Sequence, residues 1–168
     1  MKYLIIPFAA LLFNCSNSNT GSNTNVGTKD PEEESFEMPK KWEKNFSVTL
    51  YSGGGMNYES TNIFLFADSC RYVEMKNGVD SIKRFVLSQA EKEEVLLKLR
   101  SFNVSDIKTI ELEGTVYDKE TNRICFALAP KQAFCIETGA TQGIKEKEKG
   151  DFYKAYNYLV SLAKEKGK

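Results

Sequence analysis

The 168-residue chain contains no histidine. Ser-His-Asp and Cys-His catalysis are therefore excluded, as is every histidine-ligated zinc or iron site. An excess of one charge is missing too, because 23 Lys and Arg balance 23 Asp and Glu. A partner held mainly by its phosphates calls for a basic surplus, so no nucleic acid is expected. The four cysteines include no Cys-x-x-Cys spacing, which removes the usual redox and zinc motifs. Without histidine, acid–base work near neutral pH needs a carboxylate or lysine shifted by burial. Those residues cluster here in turns, on helix surfaces and on the wet faces of strands. The inventory points to a protein that is not an enzyme and carries no cofactor or metal.

Long hydrophobic runs are also scarce. One stands out, Tyr3 to Phe13, preceded by Met1 and Lys2 and unbroken by charge. As a helix, about 11 residues span about 16 Å, half of a hydrocarbon core of about 30 Å. The run therefore reads as the apolar region of a signal peptide covering residues 1–14. It ends in Leu12-Phe13-Asn14-Cys15, which resembles the lipobox of bacterial lipoproteins. Leu12 and Cys15 match that pattern, while Phe13 and Asn14 are larger than its preferred small residues. The resemblance implies diacylglycerol on Cys15, cleavage before it and acylation of the new amine. A thiolate suits the thioether bond, and several acyl chains anchor where one would not. Ser16, where an Asp would signal otherwise, implies the outer membrane. The expected location is the cell envelope, with the membrane as a partner through the lipid.

Residues 15–41 are expected to form a lipidated, disordered tether. Ser16 to Thr28 holds one apolar residue, Val26, and then come Pro31, the Glu32-Glu33-Glu34 run and Pro39. Such a stretch buries too little apolar surface to offset its ordering entropy. From Cys15 to Trp42 the root-mean-square span is roughly 25–30 Å, extending to about 90 Å. A single folded domain is expected over residues 42–168.

Within it, Phe46, Val48 and Leu50 alternate with polar residues as a half-wet strand. Ile63 to Ala67 reads as a central strand, and Arg71 to Met75 as another. Asn77-Gly78 predicts a two-residue hairpin that places Val73 opposite Ile82. Ser88 and Glu91 form a capping box for a helix over Gln89 to Phe102. Ile110 to Val116 alternates as a further strand, and Asp118 to Asn122 reads as a turn. Strands at Ile124–Ala129 and Ala133–Ile136 follow, and then a helix capped by Asp151. The pattern predicts an α+β fold, an antiparallel sheet of about six or seven strands with two helices on one face.

Three constellations are candidates for function. A hairpin centred on Pro130 sets Cys125 opposite Cys135, and an exported compartment permits a bridge there. Three reduced core thiols, or a pairing with Cys70, remain alternatives. The Gly53, Gly54, Gly55, Met56, Asn57, Tyr58 segment lacks the Lys-Ser/Thr and following helix of a phosphate loop. It reads as a turn with a residual case for a recognition loop. Strand, Ser-Gly-Gly turn, further strands and then helix is similar to the emfourin family, small bacterial inhibitors of thermolysin-type peptidases. That resemblance implies a tethered peptidase inhibitor. Finally, Glu111 and Glu113, two apart on a strand, stand roughly 7 Å from each other, within the carboxylate separations some glycosidases use. Asp118, Glu120 and Asn122 offer the alternate oxygens of a calcium loop, but Arg123 occupies the position that demands glycine. The leading expectation is a membrane-anchored, non-catalytic binding or structural domain with an unidentified protein or small-molecule ligand. Inhibitor and carboxylate hydrolase are the alternatives.

Overall fold

In the computed structural model, which describes residues 36–130 and 132–168, the alternation at Phe46, Val48 and Leu50 becomes β1 (Phe46–Gly53). β2 (Ser60–Leu65), β3 (Cys70–Lys76) and β4 (Val79–Phe85) follow as a meander. After α1 (Gln89–Ser101) come β5 (Thr109–Glu111), β6 (Thr121–Leu128), β7 (Gln132–Thr138), β8 (Gln142–Ile144) and α2 (Glu146–Lys166). Six strands make one antiparallel sheet in the order β4-β3-β2-β1-β6-β7, and β5 with β8 make a small second one. The class is α+β. The predicted sequence positions of Cys15 and the lipobox lie outside the described residues. No described helix is long and apolar enough to cross a membrane.

Period-two alternation sorts the sheet into two faces. Phe46, Val48 and Leu50 of β1, Ile63 and Leu65 of β2, Cys70 and Tyr72 of β3, and Ile124, Phe126 and Ile136 are buried on one face. They pack with Val95, Leu96 and Leu99 of α1 and with Phe152, Ala155, Leu159 and Ala163 of α2. Each fully buried large side chain contributes about 1.5–3 kcal/mol, so this layer is the main source of stability. The opposite face carries Thr49, Tyr51, Phe64, Arg71, Val73, Ile82, Arg84, Cys125 and Cys135, and it is only partly covered.

Local chemistry sets the boundaries. Asn77 and Gly78 both adopt positive φ, 53° and 75°, and the resulting hairpin puts Val73 opposite Ile82. The Glu91 amide donates to Ser88 Oγ at 3.3 Å, and the Ser88 amide donates to Glu91 Oε2 at 2.7 Å, closing the N-terminus of α1. Lys166 of α2 pairs with the same Glu91, which ties the helices together at one end.

Four sequence expectations are displaced. Phe36 and Met38 are buried within the core cluster, so the folded unit begins upstream of Trp42, and the tether expected over 15–41 loses its last residues. Phe36 stacks on Phe134 at 5.5 Å and on Phe126 at 5.9 Å, and Arg100 donates to the Pro39 carbonyl. The strand expected over Ile110–Val116 stops at Glu111, because the chain bends at Glu113 and at Gly114, which takes φ 93°. α2 starts at Glu146, five residues before Asp151, so Asp151 is an internal residue that pairs with Lys154 at 2.8 Å. β2 runs over Ser60–Leu65, leaving Ala67 in the connection to β3.

The two edges of the large sheet differ. Beside β7, the Glu137 amide donates to Thr109 Oγ1 at 2.9 Å, and the Gly139 amide donates to the Gln142 carbonyl at 2.8 Å. The small sheet thus covers that edge. β4 has no strand beyond it.

Candidate functional site

The glycine-rich segment leaves β1 at the end of the sheet where Gly53 faces Ser60 and Thr121. Gly54 and Gly55 take φ of 91° and 70°, a region closed to most side chains. The chain then makes one 3-10 turn over Gly55–Asn57, and Tyr58 sits left-handed at φ 48°. A second loop, residues 112–120, folds against the first. A Cβ placed on Gly55 would meet the Asp118 carbonyl oxygen at 3.1 Å, so glycine there lets the two backbones touch.

Between the loops lies a cleft of about 380 Å³ lined by Gly54, Gly55, Met56, Glu59, Asp118 and Glu120. Ser52, only 5% exposed, donates from Oγ to Glu120 Oε1 at 2.5 Å and holds that carboxylate in place. Burial pushes the nearby Tyr156 phenol above its ordinary pKa, while a hydrogen bond with Ser52 acts in the opposite direction. Ser52 beside a carboxylate has the makings of a nucleophile and base, yet its burial keeps the hydroxyl from a substrate. The outer rim is apolar. Met56 is 76% exposed, Tyr58 83% and Tyr117 84%. Exposed aromatic groups on loops carried by a rigid sheet are a common form of recognition surface.

The remaining sequence candidates fall elsewhere. Cys125 and Cys135 are direct partners in the β6–β7 register, flanked by Ile124–Ile136 and Phe126–Phe134, and they form a disulfide with Cα atoms 4.1 Å apart. It lies on the open face of the sheet, with Cys135 exposed. Cys70 is the free thiol, 1% exposed. Burial raises its pKa, outweighing the Phe66 and Leu87 backbone contacts, so it is poorly disposed to act as a nucleophile. Glu111 ends β5 and Glu113 stands in the bend beyond it, so the two do not share a strand face. Both are exposed, and neither lines the cleft between the loops. Asp118 lies in a turn while Asn122 belongs to β6, which parts the alternate oxygens of the calcium-like pattern. Among the described residues no three acidic or cysteine side chains gather as a metal site would require.

Sequence reasoning named the first loop but missed the second. The 112–120 segment looks like strand until Gly114 is recognised as a turn residue. No protein-family model matches the chain, and no curated protein matches its sequence.

Proposed function

We propose that this chain is a membrane-anchored bacterial lipoprotein whose folded domain binds a partner without catalysis. The observation that carries the binding reading is the rim of Met56, Tyr58 and Tyr117, three large exposed side chains on two loops braced by backbone contact. Aromatic residues of this kind supply much of the energy at protein interfaces. The anchoring reading rests on the apolar run from Tyr3 to Phe13 and on the Leu12–Cys15 motif, with Ser16 favouring the outer membrane. Replacing Cys15 with Ala is expected to leave the precursor uncut and move the protein out of the detergent phase. Unchanged partitioning would end the anchoring reading. For binding, partners cross-linked in whole cells are expected to disappear in the Tyr58→Ala/Tyr117→Ala double variant. A partner set indifferent to both changes would remove the loops from the reading.

A second reading, a tethered peptidase inhibitor, is favoured by the projection of the Gly53–Tyr58 loop away from the core. It predicts slower hydrolysis by a thermolysin-type peptidase in the presence of the chain, relieved by Tyr58→Ala. Full peptidase activity at saturating chain would discard it.

A further inference from the structure

β4 is the one uncovered edge of the large sheet. It is seven residues long, and its register with β3 runs unbroken from Val79 to Phe85, so no bulge twists it away. Proline and glycine are absent from it. Residues Val79 to Arg84 are all exposed, including Val79 at 70% and Ile82 at 50%. A long, regular, unprotected edge is a template for another strand.

Backbone geometry says which groups are on offer. The two-residue turn makes Lys76 and Val79 a hydrogen-bonded pair, and antiparallel ladders alternate. The N–H and C=O groups of Asp80, Ile82 and Arg84 therefore point away from β3. Their side chains lie on the open face of the sheet, where Arg84 stands directly opposite Arg71. Like charges in that relation repel. Arg71 lies 4.8 Å from the Phe64 ring centroid, while Arg84 and Asp80 have no ion-pair partner among the described residues.

The strand reads Val79-Asp80-Ser81-Ile82-Lys83-Arg84-Phe85. Reversed and laid against itself about Ile82, it sets Asp80 opposite Arg84 twice, Val79 opposite Phe85 twice, Ser81 opposite Lys83 twice, and Ile82 opposite Ile82. The charge pairs and the Ile82 pair fall at the positions whose backbone groups face outward. The Val79–Phe85 pairs are aromatic against β-branched, a favourable cross-strand combination. Shifting the axis to Asp80, Ser81, Lys83 or Arg84 loses the Asp80–Arg84 match, and at three of those positions it sets like charges opposite. We infer that two copies of this chain join antiparallel through β4, with the twofold axis at Ile82, to make one continuous sheet of six strands from each copy. An isologous contact of this kind closes after two subunits.

The test uses the full chain in its host membrane or in detergent. Under mild oxidation an Ile82→Cys chain is expected to cross-link to a covalent dimer, while a Val86→Cys chain, exposed but outside the paired span, does not. In the Ile82→Cys background, Asp80→Arg is expected to cut dimer yield about tenfold, since both charge pairs become repulsive. Adding Arg84→Asp to that variant restores it. These positions are exposed, and a near-ultraviolet circular dichroism spectrum confirms the fold of each variant. A monomer by sedimentation and cross-linking overturns the inference, with or without another protein on β4. Equal cross-linking from Val86→Cys, or a dimer insensitive to Asp80→Arg, overturns it as well.

Discussion

Replacing Phe36 with Ala tests whether the segment before Trp42 belongs to the folded unit. Phe36 is 6% exposed and stacks on Phe134 and Phe126, with interplanar angles of 8° and 26°. Burying a phenylalanine contributes about 1.5–3 kcal/mol, and each aromatic pair adds about 0.5–1.5 kcal/mol. The segment lies at the start of the domain and can relax around the missing ring, which places the loss at about 3 kcal/mol, the lower end for Phe→Ala. For a domain of this size that lowers the melting temperature by about 10 °C. Glu37 next to it is exposed, and Glu37→Ala is expected to change stability by less than about 0.5 kcal/mol. Paired urea and thermal melts of the two variants are the measurement. If Phe36→Ala melted with the unchanged chain, the packing of Phe36 would be incidental and the domain would begin at Trp42 after all. A chain beginning at Lys40 should suffer more, because it also loses Met38 and the Pro39 carbonyl that Arg100 binds.

Further outcomes follow from other contacts. Replacing both Cys125 and Cys135 with Ala opens a loop with a sequence separation of 10 and should cost about 2.5–3 kcal/mol by denaturant titration; a stability change below half of that would show that the bridge contributes little. Glu91 is held down to about 2 from its ordinary 4.5, first by Lys166 and then by the Ser88 backbone. A depressed carboxyl stabilises the fold above its unfolded pKa and loses that effect as pH falls through the folded one. The melting advantage of the unchanged chain over Glu91→Gln should therefore be full at pH 7 and shrink between about pH 4.5 and 2; a gap constant across that range would refute the assignment. Gly55→Ala places a side chain at φ 70°, 3.1 Å from the Asp118 carbonyl. It should cost about 1–2 kcal/mol and disturb the two loops, visible as altered amide shifts confined to residues 53–59 and 112–120.

How far the sequence disclosed this fold depended on the range of the forces involved. Local signals were legible. Asn77-Gly78 set its hairpin, Ser88 and Glu91 set the start of α1, and the paired apolar pattern around Cys125 and Cys135 set the β6–β7 register. Signals that depend on distant partners were not. Phe36 and Met38 are isolated apolar residues in a polar stretch, with no periodicity to reveal that Phe126, Phe134 and Arg100 await them. β8 is three residues long and owes its pairing to β5, more than 30 positions away. Asp151 has the identity of a helix cap, but Glu146 and Glu148 already occupy the first turn of α2, where acidic side chains favour the helix dipole. The candidate site was legible by halves for the same reason, since only the three-dimensional approach of Gly55 to Asp118 reveals that two loops act together.

The attachment of Phe36 gives the domain a mechanical polarity. Phe36 docks on Phe126 and Phe134, toward the end of the sheet where β1 begins at Phe46 opposite Leu128. The Gly53–Tyr58 loop emerges from the other end of β1, eight residues along, or about 25 Å away. Any pull from an upstream anchor enters at the Phe36 end and runs along β1, parallel to the strand and across its hydrogen bonds to β2 and β6. Loading in that direction shears the ladder and engages its bonds together, so the grip of the loops on a partner should fail before the domain that carries them.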